Sequence, residues 1–177
     1  MNRSRTLHTI DPDALYKHAF SMHQAGNLSE AISLYQQLLN QFPNETHVLN
    51  LLGAACLQSE SFDEAIQILE KSLMIDPNQP MVLSNLGYGF HKHKRFAEAI
   101  VHCDRAIALD PDFADAHNNR GVVLKELNRF QEALESYCNA IRLKPDFADA
   151  YNNRGVVLKE LNRFEEALES YCDAICQ

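Results

Sequence analysis

At 177 residues, 46% of them hydrophobic and 23% charged, the chain can build one sizeable core and is too apolar to remain disordered. Its formal charge of −8, without any basic block, excludes the clustered Lys and Arg through which proteins grip nucleic acid or an anionic membrane surface. No apolar run approaches membrane-spanning length and the opening MNRSRTLHTI lacks the apolar stretch of a secretion signal, so a cytoplasmic location and free thiols at the five cysteines are expected.

Residues 1–10 are expected to form a flexible tail, and from residue 11 onward similar chemistry returns every 34 residues. Small residues recur at Ala19, Gly53, Gly87, Gly121 and Gly155, and alanines at Ala31, Ala65, Ala99, Ala133 and Ala167. Prolines recur at Pro43, Pro77, Pro111 and Pro145, and an apolar column runs through Leu28, Phe62, Phe96, Phe130 and Phe164. These columns divide residues 11–177, a single domain, into units at approximately 11–44, 45–78, 79–112, 113–146 and 147–177. The last two are nearly the same: 111–143 laid on 145–177 differs at five of 33 positions, His117/Tyr151, Gln131/Glu165, Asn139/Asp173, Arg142/Cys176 and Leu143/Gln177.

Within each unit the apolar spacing predicts two helices. In the last unit Tyr151, Gly155 and Leu158 share one helical face, and Phe164, Ala167, Leu168 and Tyr171 another. Asn162 between them tolerates the left-handed conformation that ends a helix. Each proline column should stop the second helix, after which Asp112 and Asp146 are the expected N-caps of the next. Gly121, Ala133 and Ala140 should let helices approach near the short end of the usual range of about 8–10 Å, with Phe130 and Tyr137 filling the gap to the following unit. One such unit cannot bury its apolar faces alone; stacked units share a continuous core, which makes the expected fold an all-α solenoid.

The small residue in the first helix, the series Ala133, Tyr137, Ala140 in the second, and the closing Pro145 resemble the tetratricopeptide repeat family across residues 11–177. Departures from the family pattern fall in the earlier units: Ala19 and Leu28 in the first, Ser72 in the second and Cys103 in the third. The resemblance implies a right-handed superhelical solenoid of five helix-turn-helix repeats whose first helices line a concave, ligand-binding face.

On that face the fourth unit should present Asn118, Asn119, Val122 and Lys125, and the fifth Asn152, Asn153 and Lys159. The column two residues before the small position reads Lys17, Leu51, Asn85, Asn119, Asn153, so asparagines stand in register on three successive units. A carboxamide offers both donors and an acceptor, which suits a peptide main chain whatever its side chains. With first helices roughly 10 Å apart and ~3.3 Å per extended residue, one amide meets about every third residue of a ligand. The row resembles the asparagine ladder in repeat domains of O-linked N-acetylglucosamine transferases. A polar face merely carried along by duplication would read the same way. A carboxylate-binding clamp does not fit, because Asp115 and Asp149 stand where cations would be needed. Arg120 and Arg154 are expected to pack by their stems and reach carboxylates on adjacent helices, or to touch a ligand beside the row.

Catalytic chemistry is not expected: there is no phosphate loop and no nucleophile elbow, His91 and His93 point to different faces of a helix, and Cys172 and Cys176 could share a metal but no histidine or second cysteine pair accompanies them, so no metal or cofactor is expected. The leading expectation is an interaction scaffold for a protein or extended peptide. The alternative is the substrate-recruiting N-terminal array of a larger O-linked glycosyltransferase-like enzyme. The sequence stops at Gln177 with Tyr171, Ala174 and Ile175 near a face that would receive another helix, so the expectation is either a fragment of a longer protein or self-association through an uncapped last repeat.

Overall fold

A computed structural model describes residues 11–176; the predicted tail at 1–10 lies outside the described residues. Ten helices and no strand occur among these residues: α1 (Pro12–Gln24), α2 (Leu28–Gln41), α3 (Thr46–Gln58), α4 (Phe62–Ile75), α5 (Pro80–Lys92), α6 (Phe96–Leu109), α7 (Ala114–Glu126), α8 (Phe130–Leu143), α9 (Ala148–Glu160) and α10 (Phe164–Ile175). Consecutive helices pack antiparallel in pairs, and each pair packs on the next, which gives a solenoid of five helix-turn-helix units.

The turn inside each pair is set by one left-handed residue: Gly26, Glu60, Lys94, Asn128 and Asn162 have φ between 58° and 77°. In the fourth unit the Arg129 N–H donates to the Leu124 carbonyl at 2.9 Å and the Asn128 N–H to the Lys125 carbonyl at 2.9 Å, the two bonds that close a helix around such a residue. Only the first of the five is glycine; the others bear a left-handed cost of roughly 1–2 kcal/mol that this bonding must overcome. Each second helix that precedes a proline ends two residues before it: α2, α4, α6 and α8 stop at Gln41, Ile75, Leu109 and Leu143.

The capping expectation is corrected. Asp112 and Asp146 are not the N-caps; Phe113 and Phe147 occupy those positions, with no side-chain capping bond. The turn explains the shift. The Phe113 N–H donates to the Asp110 carbonyl and the Phe147 N–H to the Lys144 carbonyl, which carries each phenyl ring against the core and leaves the aspartate exposed one residue earlier. Phe147 is buried with Ala114, Ala140 and Ala150.

The small-residue column seats a larger side chain from the partner helix of the same unit. A Cβ on Gly121 would stand 2.6 Å from the Tyr137 ring, and one on Gly53 would stand 2.4 Å from Leu69. Tyr137 therefore fills the space within its own pair as well as packing with Val157 and Leu158 of the next, rather than only bridging units. Successive first helices also touch one another, α3 with α5, α5 with α7 and α7 with α9, whereas successive second helices have no contact of comparable extent. The array is thus tighter along its first helices, which form the inner face, and more open along its second helices.

Candidate functional site on the inner face

Helical periodicity places every fourth residue of a first helix on the same side, so each of these helices gives the inner face one polar column and one apolar column. The mainly polar column contains Lys17, Asn85, Asn119 and Asn153 and is interrupted by Leu51; the apolar one, three residues on, contains Phe20, Ala54, Tyr88, Val122 and Val156. Members of both columns are at least partly exposed, with Lys17 and Phe20 the most open.

The asparagines do not behave as one row. Asn119 donates through Nδ2 to Ser84 on α5, reaching its Oγ at 3.0 Å and its carbonyl at 3.4 Å. A carbonyl can only accept, so this contact fixes the carboxamide orientation and leaves Oδ1 without a protein partner among the described residues. Asn153 repeats the pattern one unit later, donating through Nδ2 to Oδ1 of Asn118 at 3.1 Å. Asn118 itself is buried at 9% exposure and belongs to the seam between α7 and α9.

Asn85 departs from this pattern. Its counterpart acceptor on α3 is Asn50, and Asn50 is already engaged: the Ser72 hydroxyl donates to its Oδ1 at 2.7 Å while its Nδ2 donates to Gln79 at 2.7 Å. Asn85 consequently has no hydrogen bond among the described side-chain contacts and lines a recess of about 250 Å³ with Ala54, Leu57, Gln58 and Tyr88. The asparagine column does not by itself indicate this recess. The apolar column does, because Ala54 is its smallest member and stands between Phe20 and Tyr88.

Of the remaining predicted residues, Asn152 is exposed, Lys159 is exposed, and Lys125 pairs with Glu126 at 2.9 Å. Lys125 borders a shallower hollow of about 220 Å³ with Phe130, Val156 and Glu160. The two arginines turn away from the asparagines. Arg120 donates to Asp104 on α6 at 2.7 Å and to the Ser136 hydroxyl at 2.9 Å, and Arg154 to the Ser170 hydroxyl at 2.8 Å with Asp173 at 3.6 Å. Both serve the packing of second helices. Among the described residues there is no cluster of three or more His, Cys, Asp or Glu able to hold a metal ion, and no helix long and apolar enough to cross a membrane.

Sequence profiles of the tetratricopeptide repeat match residues 22–84, 90–128, 121–161 and 148–175. No curated protein matches the chain. Among solved structures, a crystal structure of MamA is similar at 27% identity and a TM-score of 0.74, covering 89% of this chain and 92% of that one. A MamA from Desulfovibrio magneticus RS-1, residues 41 to the end, shares the fold at 19% identity and a TM-score of 0.77, covering 94% of each chain. YrrB, described as a TPR protein with an unusual peptide-binding site, shares it at 24% identity and a TM-score of 0.67, covering 93% of this chain and 85% of that one.

Proposed function

The chain belongs to the tetratricopeptide repeat family, and from that premise we propose that it is an interaction scaffold holding an extended protein segment along the inner face. The observation that carries this reading is the pair Asn119 and Asn153. Each donates through Nδ2 to the neighbouring first helix and keeps an Oδ1 without a protein partner among the described residues, so two acceptors stand one unit apart. Ligand main-chain N–H groups satisfy such acceptors independently of sequence, and the apolar column beside them adds contact area. Lys125 and Lys159, one helical turn beyond Val122 and Val156, and Asn152 at the rim complete the proposed contact set, with Asn118 supporting Asn153 from beneath. The same groove serves the second arrangement, in which the array delivers polypeptide substrates to a glycosyl-transferring domain.

The test is affinity selection of random linear dodecapeptides on the whole chain, followed by titration of the enriched peptides. Asn119→Ala and Asn153→Ala, each checked for helicity by circular dichroism, should weaken binding about five- to tenfold, the worth of one hydrogen bond near 1 kcal/mol. Unchanged affinities in both variants would remove the inner face from the account.

A second contact surface follows from α10. Phe164 is 60%, Leu168 64% and Ile175 84% exposed, whereas the same positions on α8 are covered by α9, with Leu134 at 6%. We infer that copies of the chain associate through this face. Glu165 and Glu169 flank it, so association should strengthen as salt screens their repulsion. Sedimentation velocity at rising concentration and salt reads this directly; a single monomeric species throughout would refute it.

A further inference from the structure

The recess between α3 and α5 brings three features together. Its floor is apolar, formed by Ala54 and Leu57, because a methyl group stands where Phe20 and Tyr88 put rings one unit to either side. At its mouth Asn85 has both donor and acceptor uncommitted, since Asn50 is held by Ser72 and Gln79. Beside it, Lys92 places its Nζ 5.1 Å from the centre of the Tyr88 ring and forms no ion pair among the described residues, unlike Lys125, which is neutralised by Glu126.

We propose that this recess is the specificity pocket of the scaffold, receiving one aliphatic side chain of an extended peptide that carries a carboxylate one or two residues away. The inference rests on the inner-face reading and sharpens it. The aliphatic group loses its water against Ala54, Leu57 and the Tyr88 ring, and a volume of about 250 Å³ admits a leucine, isoleucine or methionine side chain. Asn85 can then close both polar groups of the peptide unit at the pocket mouth with its whole carboxamide uncommitted, whereas Asn119 and Asn153 already commit Nδ2 to the neighbouring first helix. Lys92 lies one helical turn beyond Tyr88 and supplies the cation for the neighbouring carboxylate. Main-chain contacts at Asn119 and Asn153 thus give grip without sequence preference, and the recess gives preference.

The same dodecapeptide selection tests the proposal. Enriched peptides should share a Leu, Ile or Met followed or preceded within two residues by Asp or Glu. In fluorescence-polarisation titrations of such a synthetic peptide, Ala54→Phe should weaken binding at least about tenfold by filling the recess. Lys92→Gln should weaken it about threefold, and less at high salt. Tyr88→Ala, which removes a wall without adding bulk, provides a second variant if Ala54→Phe loses helicity. Replacing the peptide's aliphatic residue by alanine repeats the experiment without altering the protein.

If Asn119→Ala weakens binding while Ala54→Phe, Tyr88→Ala and the alanine peptide do not, the groove stands and the pocket is wrong. If none of these changes matters, both readings fall; retention of peptides that share no sequence would overturn the pocket alone. A consensus rich in basic rather than acidic residues would overturn the assignment to Lys92.

Discussion

Units four and five differ at only five of 33 aligned residues, yet their second helices sit in different surroundings. Leu134 on α8 is 6% exposed and Leu168 on α10 is 64% exposed; Tyr137 is fully buried and Tyr171 only partly so. The difference is one neighbour. Helix α9 covers the side of α8 that faces the next unit, and nothing among the described residues covers the equivalent side of α10. In a stacked array the same side chain therefore contributes differently according to position, since stability is a sum of unit terms and contacts between adjacent units.

The largest expected effect breaks this pair apart. Leu134→Ala should cost about 2–5 kcal/mol, the range for a buried leucine, and Leu168→Ala less than about 1 kcal/mol. Urea denaturation followed by circular dichroism measures both, with hydrogen exchange to locate the affected helices, because an array of repeats does not always unfold in one step. Equal losses at low concentration would mean that Leu168 is covered within the chain. Equal losses appearing only at high concentration would mean that a second copy covers it.

How much of this was legible beforehand depends on which neighbour a residue answers to. The helix pairs, their proline stops and the small column depend on residues within one unit, and the 34-residue period displays them. The turn at Asn162 was equally local; Glu60 and Lys94, which adopt the same left-handed geometry, carry no asparagine or glycine to announce it. The N-caps were misplaced because the ring of Phe147, not the charge of Asp146, decides how the chain enters α9. At the candidate site the register of the asparagines was visible, but their division was not. Asn85 and Asn119 are the same residue at the same position, and they differ because Ser84 accepts from one while Asn50, occupied by Ser72 and Gln79, accepts nothing from the other. Such a distinction lies between units, where a sequence column has no term for it.

An intermediate effect separates the first and third units from the last two. Burial lowers the pKa of His23, His91 and His102, and the Nδ1 atoms of His91 and His102 are buried without a hydrogen-bond partner among the described residues. Stacking of His102 on Phe90, with centroids 5.1 Å apart, holds that imidazole inside the third unit. A base whose folded pKa lies below its unfolded value of about 6.5 binds fewer protons when folded. The stability it allows is complete above pH 6.5 and falls as the pH drops below that value. The first and third units, which hold these histidines, should accordingly loosen as the pH falls below about 6.5 while units four and five hold, which hydrogen exchange corrected for intrinsic rates will resolve helix by helix. Loosening confined to α7–α10 would contradict the assignment.

The smallest effect concerns the two arginines. Arg120 finds its carboxylate on the preceding unit, at Asp104; Arg154 finds Cys138 in that place and leans instead toward Asp173 of its own helix pair, where unit four has Asn139. The acid has moved from one side of the arginine to the other, turning a tie between units into a tie within one. Cys138→Asp combined with Asp173→Asn should recreate the arrangement of unit four, binding α9 to α8 rather than to α10. The arginines are only about a quarter exposed but their acids are about half exposed, so each pair is worth less than about 1 kcal/mol. A double-mutant cycle between Arg154→Gln and Cys138→Asp should give a coupling of that size, diminished in high salt, with the gain appearing in the joint unfolding of units four and five. No coupling would mean that Ser170, at 2.8 Å, and Asp173, at 3.6 Å, keep Arg154 on α10.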